Sequence, residues 1–66
     1  MSKYKYVVLM QYDPFDRVRK VASFTNELSF DEIYIMFKPF VRWCEDGYIA
    51  IVDLDNGEVV RIDDKY

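Results

Sequence analysis

Apolar and polar side chains alternate through "KYKYVVLMQY", residues 3 to 12. Tyr4, Tyr6, Val8, Met10 and Tyr12 share one face, and Lys5, Val7, Leu9 and Gln11 share the other. A period of two in a stretch rich in tyrosine and valine predicts a strand with one strongly apolar face. "DPFD" at 13 to 16 has turn chemistry, and "RVRKVASF" after it returns as a second strand. Arg17, Arg19 and Lys20 suit that strand to a sheet edge, where charge discourages pairing with stray chains.

The pattern then changes period. In "LSFDEIYIMF", Ser29 followed three residues later by Glu32 forms a capping box, each side chain accepting from the other residue's unpaired backbone N–H. Leu28 and Ile33 fit a hydrophobic staple around it. Asp31 and Glu32 place negative charge at the positive end of the helix dipole. Gly47 after "CED" is the expected left-handed terminator, which gives a helical region from 30 to 46. Pro39 interrupts it, removing one backbone bond and disfavouring helical geometry at Lys38, so the region is kinked or split in two.

Alternation resumes in "YIAIVDLDNGEVVRID", where Asn56-Gly57 predicts a two-residue type I′ turn. That turn pairs Asp55 with Glu58, Leu54 with Val59, Asp53 with Val60, Val52 with Arg61 and Ile51 with Ile62. Ile49, Ile51, Val60 and Ile62 then line one sheet face, and Tyr48, Ala50, Val52, Leu54 and Val59 the other. Both faces are largely apolar, yet one helix covers only one of them.

Spacing helical residues about 100° apart gathers Phe40, Ile33, Cys44, Phe37, Phe30, Val41 and Tyr34 within an arc of about 120°. That stripe is the expected core contact. Met36, Trp43 and Ile35 lie beyond it. Either the sheet is wide and strongly twisted, or the break at Pro39 rotates the second half so that Trp43 is core, or these residues form an apolar groove flanked by carboxylates.

Composition narrows the function. Sixty-six residues make one domain, spanning 1–66, at a size where folding buries only roughly 60% of the unfolded surface. Disulfides, metals or oligomerisation usually complete so small a core. The chain has one cysteine, Cys44, and no histidine, so an internal disulfide, a cysteine zinc cage and imidazole metal sites are excluded. Oligomerisation or a partner remains. The same absences, with only two glycines, remove the ordinary nucleophile pairs and phosphate-cradling loops, so neither catalysis nor a cofactor is expected. The acidic pairs Asp31-Glu32 and Asp63-Asp64 read as solvated charge, because adjacent residues point to different faces. No apolar run reaches the roughly 20 residues of a membrane span, and a lone thiol suits a reducing compartment, so a cytoplasmic protein is expected.

Net charge is −3, unevenly spread. Residues 1–25 carry five cations against two carboxylates, and residues 45–66 carry seven carboxylates against two cations. Either oppositely charged strands lie side by side, or the acidic part meets a basic partner. "KYKY" could stack bases and hold phosphates, but the sequence pI of about 4.7 argues against direct nucleic-acid binding. Carboxylates spaced like backbone phosphates fit better. Asp53 and Asp55 have that spacing, as does Asp63 with the Lys65 region, and Glu27, Asp31 and Glu32 crowd the helix start.

In this layout of strand, turn, strand, "LSFDE" and strand, about residues 4 to 54, the chain resembles the very small phage-encoded uracil-DNA glycosylase inhibitors, dimeric proteins that mimic DNA. The family's helix starts serine, aspartate, phenylalanine, glutamate; here Ser29-Phe30-Asp31-Glu32 has the middle pair exchanged, and a family tyrosine falls one position from Tyr34. "EVVRIDD" is additional to the family's usual length. The resemblance implies a homodimer whose helices form an apolar crevice that captures the residue the glycosylase inserts into DNA. Phe30, Tyr34, Met36, Phe40 and Trp43 would line the crevice. Glu32 would be the principal charge contact, with Glu27, Asp31, Asp53 and Asp55 around it.

The expected architecture is therefore α+β, two β-hairpins flanking one kinked helix in the order β-β-α-β-β, and dimeric. The expected function is a protein inhibitor of a DNA-processing enzyme. The alternatives are an interaction protein that inhibits a polymerase, a nuclease or a defence complex, and a single-strand-binding module.

Overall fold

A computed structural model describes residues 3–62; the expectations for Asp63, Asp64 and Lys65 lie outside the described residues. The chain is α+β. Four strands, β1 (Tyr6–Gln11), β2 (Arg19–Phe24), β3 (Tyr48–Asp53) and β4 (Val59–Arg61), form one antiparallel sheet in the order β2-β1-β3-β4. Helix α1 (Phe30–Phe37) and a 3₁₀ helix (Lys38–Trp43) lie between β2 and β3 in sequence. Both hairpins thus belong to one sheet, with β2 and β4 at its edges, and the helical segment packs on one face.

The alternation in β1 sorts as the sequence predicts. Tyr6 and Val8 are buried against Ile33, Cys44, Ile49, Ile51 and Ile62, and Met10 packs on this cluster. Burying Ile33 in full contributes roughly 1.5–3 kcal/mol. Around it, Phe24, Leu28, Phe30, Tyr34, Phe37 and Val41 are partly buried. Among the described residues no helix lies over the opposite sheet face. Its half-buried Val7, Leu9 and Val52 lie beside Tyr48, on whose ring the Arg61 guanidinium stacks at 4.2 Å.

The 13–16 turn forms as expected. The Asp16 N–H donates to the Asp13 carbonyl at 3.0 Å, and the Asp13 carboxylate accepts from the Phe15 N–H at 2.8 Å. A bulge follows, since Ala22 pairs with Val8 but Lys20 with Leu9, leaving Val21 as the extra residue.

Three expectations are corrected. First, the helical region does not run to 46: α1 ends at Phe37 and the chain winds on as a 3₁₀ helix to Trp43. Lys38 keeps helical geometry (φ −53°, ψ −43°) despite preceding Pro39, and the departure falls on Phe37 (φ −95°, ψ −11°). Pro39 sits in the first 3₁₀ turn, where its missing N–H matters least. Second, Gly47 is not a left-handed terminator, because the positive φ belongs to Gly57. A Cβ on Gly47 would run into the Gln11 carbonyl and the Tyr12 backbone, so the glycine permits β1 and β3 to meet.

Third, the β3–β4 turn spans four residues and the register is shifted by two: Ile51 pairs with Val60 and Val52 with Val59. The Asp53 N–H donates to the Glu58 carbonyl at 2.9 Å, and the Gly57 N–H to the Asp53 carbonyl at 2.7 Å. Side chains select the longer loop. The Asp53 carboxylate accepts from the Asp55 N–H at 2.9 Å and the Asn56 amide oxygen from the Glu58 N–H at 2.8 Å, leaving Gly57 at φ 75°. A slip of two preserves the side-chain faces, so the expected face composition survives the wrong register.

Candidate functional site

Aromatic side chains at Phe37, Phe40 and Trp43 recur every three residues, the period of a 3₁₀ helix, and therefore stack along one side of it. Ring centroids are 6.1 Å apart for Phe37 and Phe40 and 5.6 Å for Phe40 and Trp43. This ladder and Cys44 form one wall of a groove of about 320 Å³. Met10, Tyr12, Val21 and Ile49 supply the opposing side from the sheet. The bulge in β2 contributes Val21. The lining is apolar, with the Tyr12 hydroxyl drawn away to the Glu45 carboxylate at 3.0 Å. That carboxylate raises the Tyr12 pKa, and burial pushes the Cys44 thiol up. Cys44 is thus a packed thiol rather than an activated one.

The apolar candidates divide. Phe40, expected in the core stripe, is 43% exposed, and Trp43, expected beyond the stripe, is 72% exposed; the three-residue winding after Pro39 lines both up with Phe37. Both belong to the groove. Phe30 and Tyr34 pack on the core instead, Phe30 reaching the Tyr6 ring at 6.3 Å and the Tyr34 ring at 6.0 Å. Met36 is neither core nor groove lining; it lies on the exposed side of α1 with Ile35.

The acidic candidates sit at other places. Glu32 completes the capping box. Its carboxylate accepts from the Ser29 N–H at 3.0 Å while its own N–H donates to the Ser29 hydroxyl at 3.2 Å; the Ser29 N–H, and after it the Ser29 hydroxyl, hold the carboxyl below its usual pKa. Asp31 and Glu27 are exposed beside it. Asp53 and Asp55 instead converge on the Lys5 ammonium at 3.3 and 2.8 Å. Lys5 is held above its usual value by the bond to Asp55 and then by Asp53. Asp53 is held low by the Asp55 N–H, with Lys5 adding to the effect. Of the five carboxylates, these two are already engaged by a cation. Glu32 stands at the start of α1 and the groove begins at its end, a separation of roughly 8 Å along the helix axis.

Six groove residues were not singled out as binding candidates by the sequence: Met10, Tyr12, Val21, Phe37, Cys44 and Ile49. The spacing 37, 40, 43 around Pro39 was the available signal. Among the described residues no three Cys, Asp or Glu side chains gather in a way that could hold a metal ion, and no helix is long and apolar enough to cross a membrane. No protein-family model, curated protein or solved structure matches this chain, so its functional reading rests on its own residues.

Proposed function

We propose that this chain acts by binding another protein, as an inhibitor without catalytic chemistry of its own, and takes an apolar side chain of its target in the Phe37–Phe40–Trp43 groove. One observation carries the reading: a tryptophan 72% exposed to water, packed edge-to-face against a second exposed aromatic in the lining of an apolar groove. Aromatic residues and methionine are enriched at interface centres, and a pre-formed groove loses little order on binding.

The narrower proposal is that the target is a DNA-processing enzyme, uracil-DNA glycosylase, blocked competitively by a homodimeric DNA mimic in the host cytoplasm. It is supported by the resemblance in layout and by the exposed carboxylates Glu27, Asp31 and Glu32 at the helix start. Asp53 and Asp55 are weaker contacts on this reading, because Lys5 neutralises them. The broader alternative, inhibition of a polymerase, a nuclease or a defence complex, is favoured by the distance between groove and carboxylates, since an apolar anchor does not require a DNA-binding target.

A uracil-excision assay with bacterial uracil-DNA glycosylase and increasing amounts of this protein tests the narrower reading. Inhibition near equimolar amounts is expected, relieved by salt, weakened roughly tenfold or more by Trp43→Ala and also weakened by Glu32→Gln. The glutamine preserves the cap and removes the charge. Absence of inhibition at large excess rejects the glycosylase as target. Full inhibition by a folded Trp43→Ala protein rejects the groove.

A further inference from the structure

The sheet face turned away from α1 departs from the usual alternation. An antiparallel sheet with one solvated face ordinarily carries polar side chains there. Here Val7, Leu9, Ala50, Val52 and Val59 hold adjoining register positions on that face, and Val59 is 58% exposed. The groove lies on the other side of the sheet, so a target seated in it leaves these residues unused.

The register arranges charge around them. Lys20, Leu9, Ala50 and Arg61 form one row across the four strands. The β2 bulge puts Lys20 there: Val21 lines the groove and Ala22 packs on the core, so two successive residues point to the helix side and Lys20 returns to the open one. Arg61 is held over this face by its stacking on Tyr48. Both cations are exposed, and neither has an ion-pair partner among the described residues. Lys5 shares the face but is already bound by Asp53 and Asp55, and Arg19, opposite Met10, belongs to the helix side and meets Asp16. Among the described strands the one carboxylate is Asp53, which pairs with Tyr6 and so lies on the other face. The remaining carboxylates near this sheet sit in the loops at its two ends: Asp13 and Asp16, with Arg17 beside them, and Glu45 and Asp46 at one, Asp55 and Glu58 at the other. Cations at mid-face and carboxylates at the ends favour a partner that is acidic at its middle.

The dimensions select an α-helix. Lys20 and Arg61 stand three strand spacings apart, roughly 14 Å. A helix with its side chains is roughly 10–12 Å across, so one helix lying along the strands fits between them. Ala50, which has no side chain beyond its Cβ, makes the middle of the row its low point. Strands β1 and β3 are each six residues long, roughly 20 Å, the length of about thirteen helical residues. Single-stranded nucleic acid fits less well. Tyr48, the aromatic in a strand position on this face, already has Arg61 on its ring, and the aliphatic side chains around it do not stack bases.

We infer that this face docks an amphipathic helix of a partner protein, with an apolar stripe toward Val7, Leu9, Val52 and Val59 and carboxylates on both flanks at mid-length to meet Lys20 and Arg61. Such a helix adds a third layer to a two-layer fold. Lying on the far side of the sheet, it neither needs nor competes with an occupant of the groove, and it does not rest on the identity of any target.

Two synthetic amphipathic peptides of about fourteen residues test the inference. Both carry the same leucine stripe; one has glutamates on both flanks at mid-length, the other lysines in the same places. Each is titrated into the isotope-labelled chain and followed by amide chemical shifts. The glutamate peptide is expected to shift Val7, Leu9, Val52 and Val59, to leave Trp43 unmoved, and to bind roughly tenfold or more tighter than the lysine peptide, a preference that salt reduces. Lys20→Glu combined with Arg61→Glu, at two exposed positions, should keep the fold and reverse the preference; Val59→Ser should weaken both peptides. Equal affinity for the two peptides, shifts confined to the groove, or no binding at millimolar concentration overturns the inference. So does a face that takes oligothymidylate in place of the glutamate peptide, or one covered by a second copy in a dimer that Val59→Ser dissociates. None of these results decides the excision assay, in which Trp43→Ala reads the groove.

Discussion

At the scale of single residues, the two glycines do opposite work, although in the sequence both look like turn residues. Gly57 is needed for its dihedral, at φ 75°, and an added Cβ there meets nothing within 4 Å. Gly47 has ordinary dihedral freedom but no space, since a Cβ would strike the backbone of Gln11 and Tyr12. Backbone cannot rotate aside as a side chain can. Gly47→Ala must therefore part β1 from the start of β3, and is expected to cost about 3 kcal/mol or more, as overpacking does at its upper range. Gly57→Ala pays only left-handed strain, about 1–2 kcal/mol. Urea denaturation of both variants checks the order; equal midpoints would show that the β1–β3 approach relaxes freely. For a domain of this size, with total stability of roughly 3–10 kcal/mol, the first variant could be unfolded at body temperature.

At the scale of elements, β1, β2 and the start of α1 were legible because each rests on local signals: alternation, a charged edge, and a capping box whose two bonds both form. The groove was not, because it depends on a change of helical period. Projected at α-helical spacing, Phe40 falls in the core stripe and Trp43 outside it; wound at three residues per turn, both fall in line with Phe37 along the groove. The β3–β4 register was also illegible, because Asp53 and Asn56 cap their own loop and override the Asn-Gly signal. Pro39 is then the residue that separates core stripe from groove wall. Pro39→Ala restores the missing N–H and allows α1 to continue toward Trp43. Helical signal in far-UV circular dichroism should rise, and Trp43 emission should shift as Phe40 turns inward and the ladder breaks. Unchanged spectra would mean that packing against Met10 and Ile49, rather than the proline, imposes the 3₁₀ winding.

At the scale of the whole molecule, the extents of 34 × 25 × 16 Å describe a thin two-layer body, so few contacts tie its ends together. Electrostatic ties hold distant parts of the chain. Lys5 binds the β3–β4 loop through Asp53 and Asp55, and Tyr12 binds the segment after the 3₁₀ helix through Glu45. These ties set the pH range of stability. Asp53 and Glu32 are held below their ordinary values of 3.8 and 4.5, so the unfolded chain binds protons more readily in acid. Their contribution is complete above those values and is lost as pH falls through the lower folded values. Lys5 and Tyr12 are held above 10.5 and 10.0, so the folded chain retains protons that the unfolded chain releases. Their contribution is complete below pH 10 and is lost as pH rises through the higher folded values. The Lys5–Asp53 contact thus breaks at both ends of the scale, by protonation of one partner or deprotonation of the other. Thermal unfolding across pH should show a plateau bounded near 4.5 and 10, with shallow slopes because all four groups are in contact with water. Lys5→Met should reduce the alkaline slope to the share that belongs to Tyr12, and reduce the acid one only by the part Lys5 adds at Asp53, leaving the shares of Glu32 and of the Asp55 N–H; slopes unchanged in that variant would place the titrating ties elsewhere in the molecule.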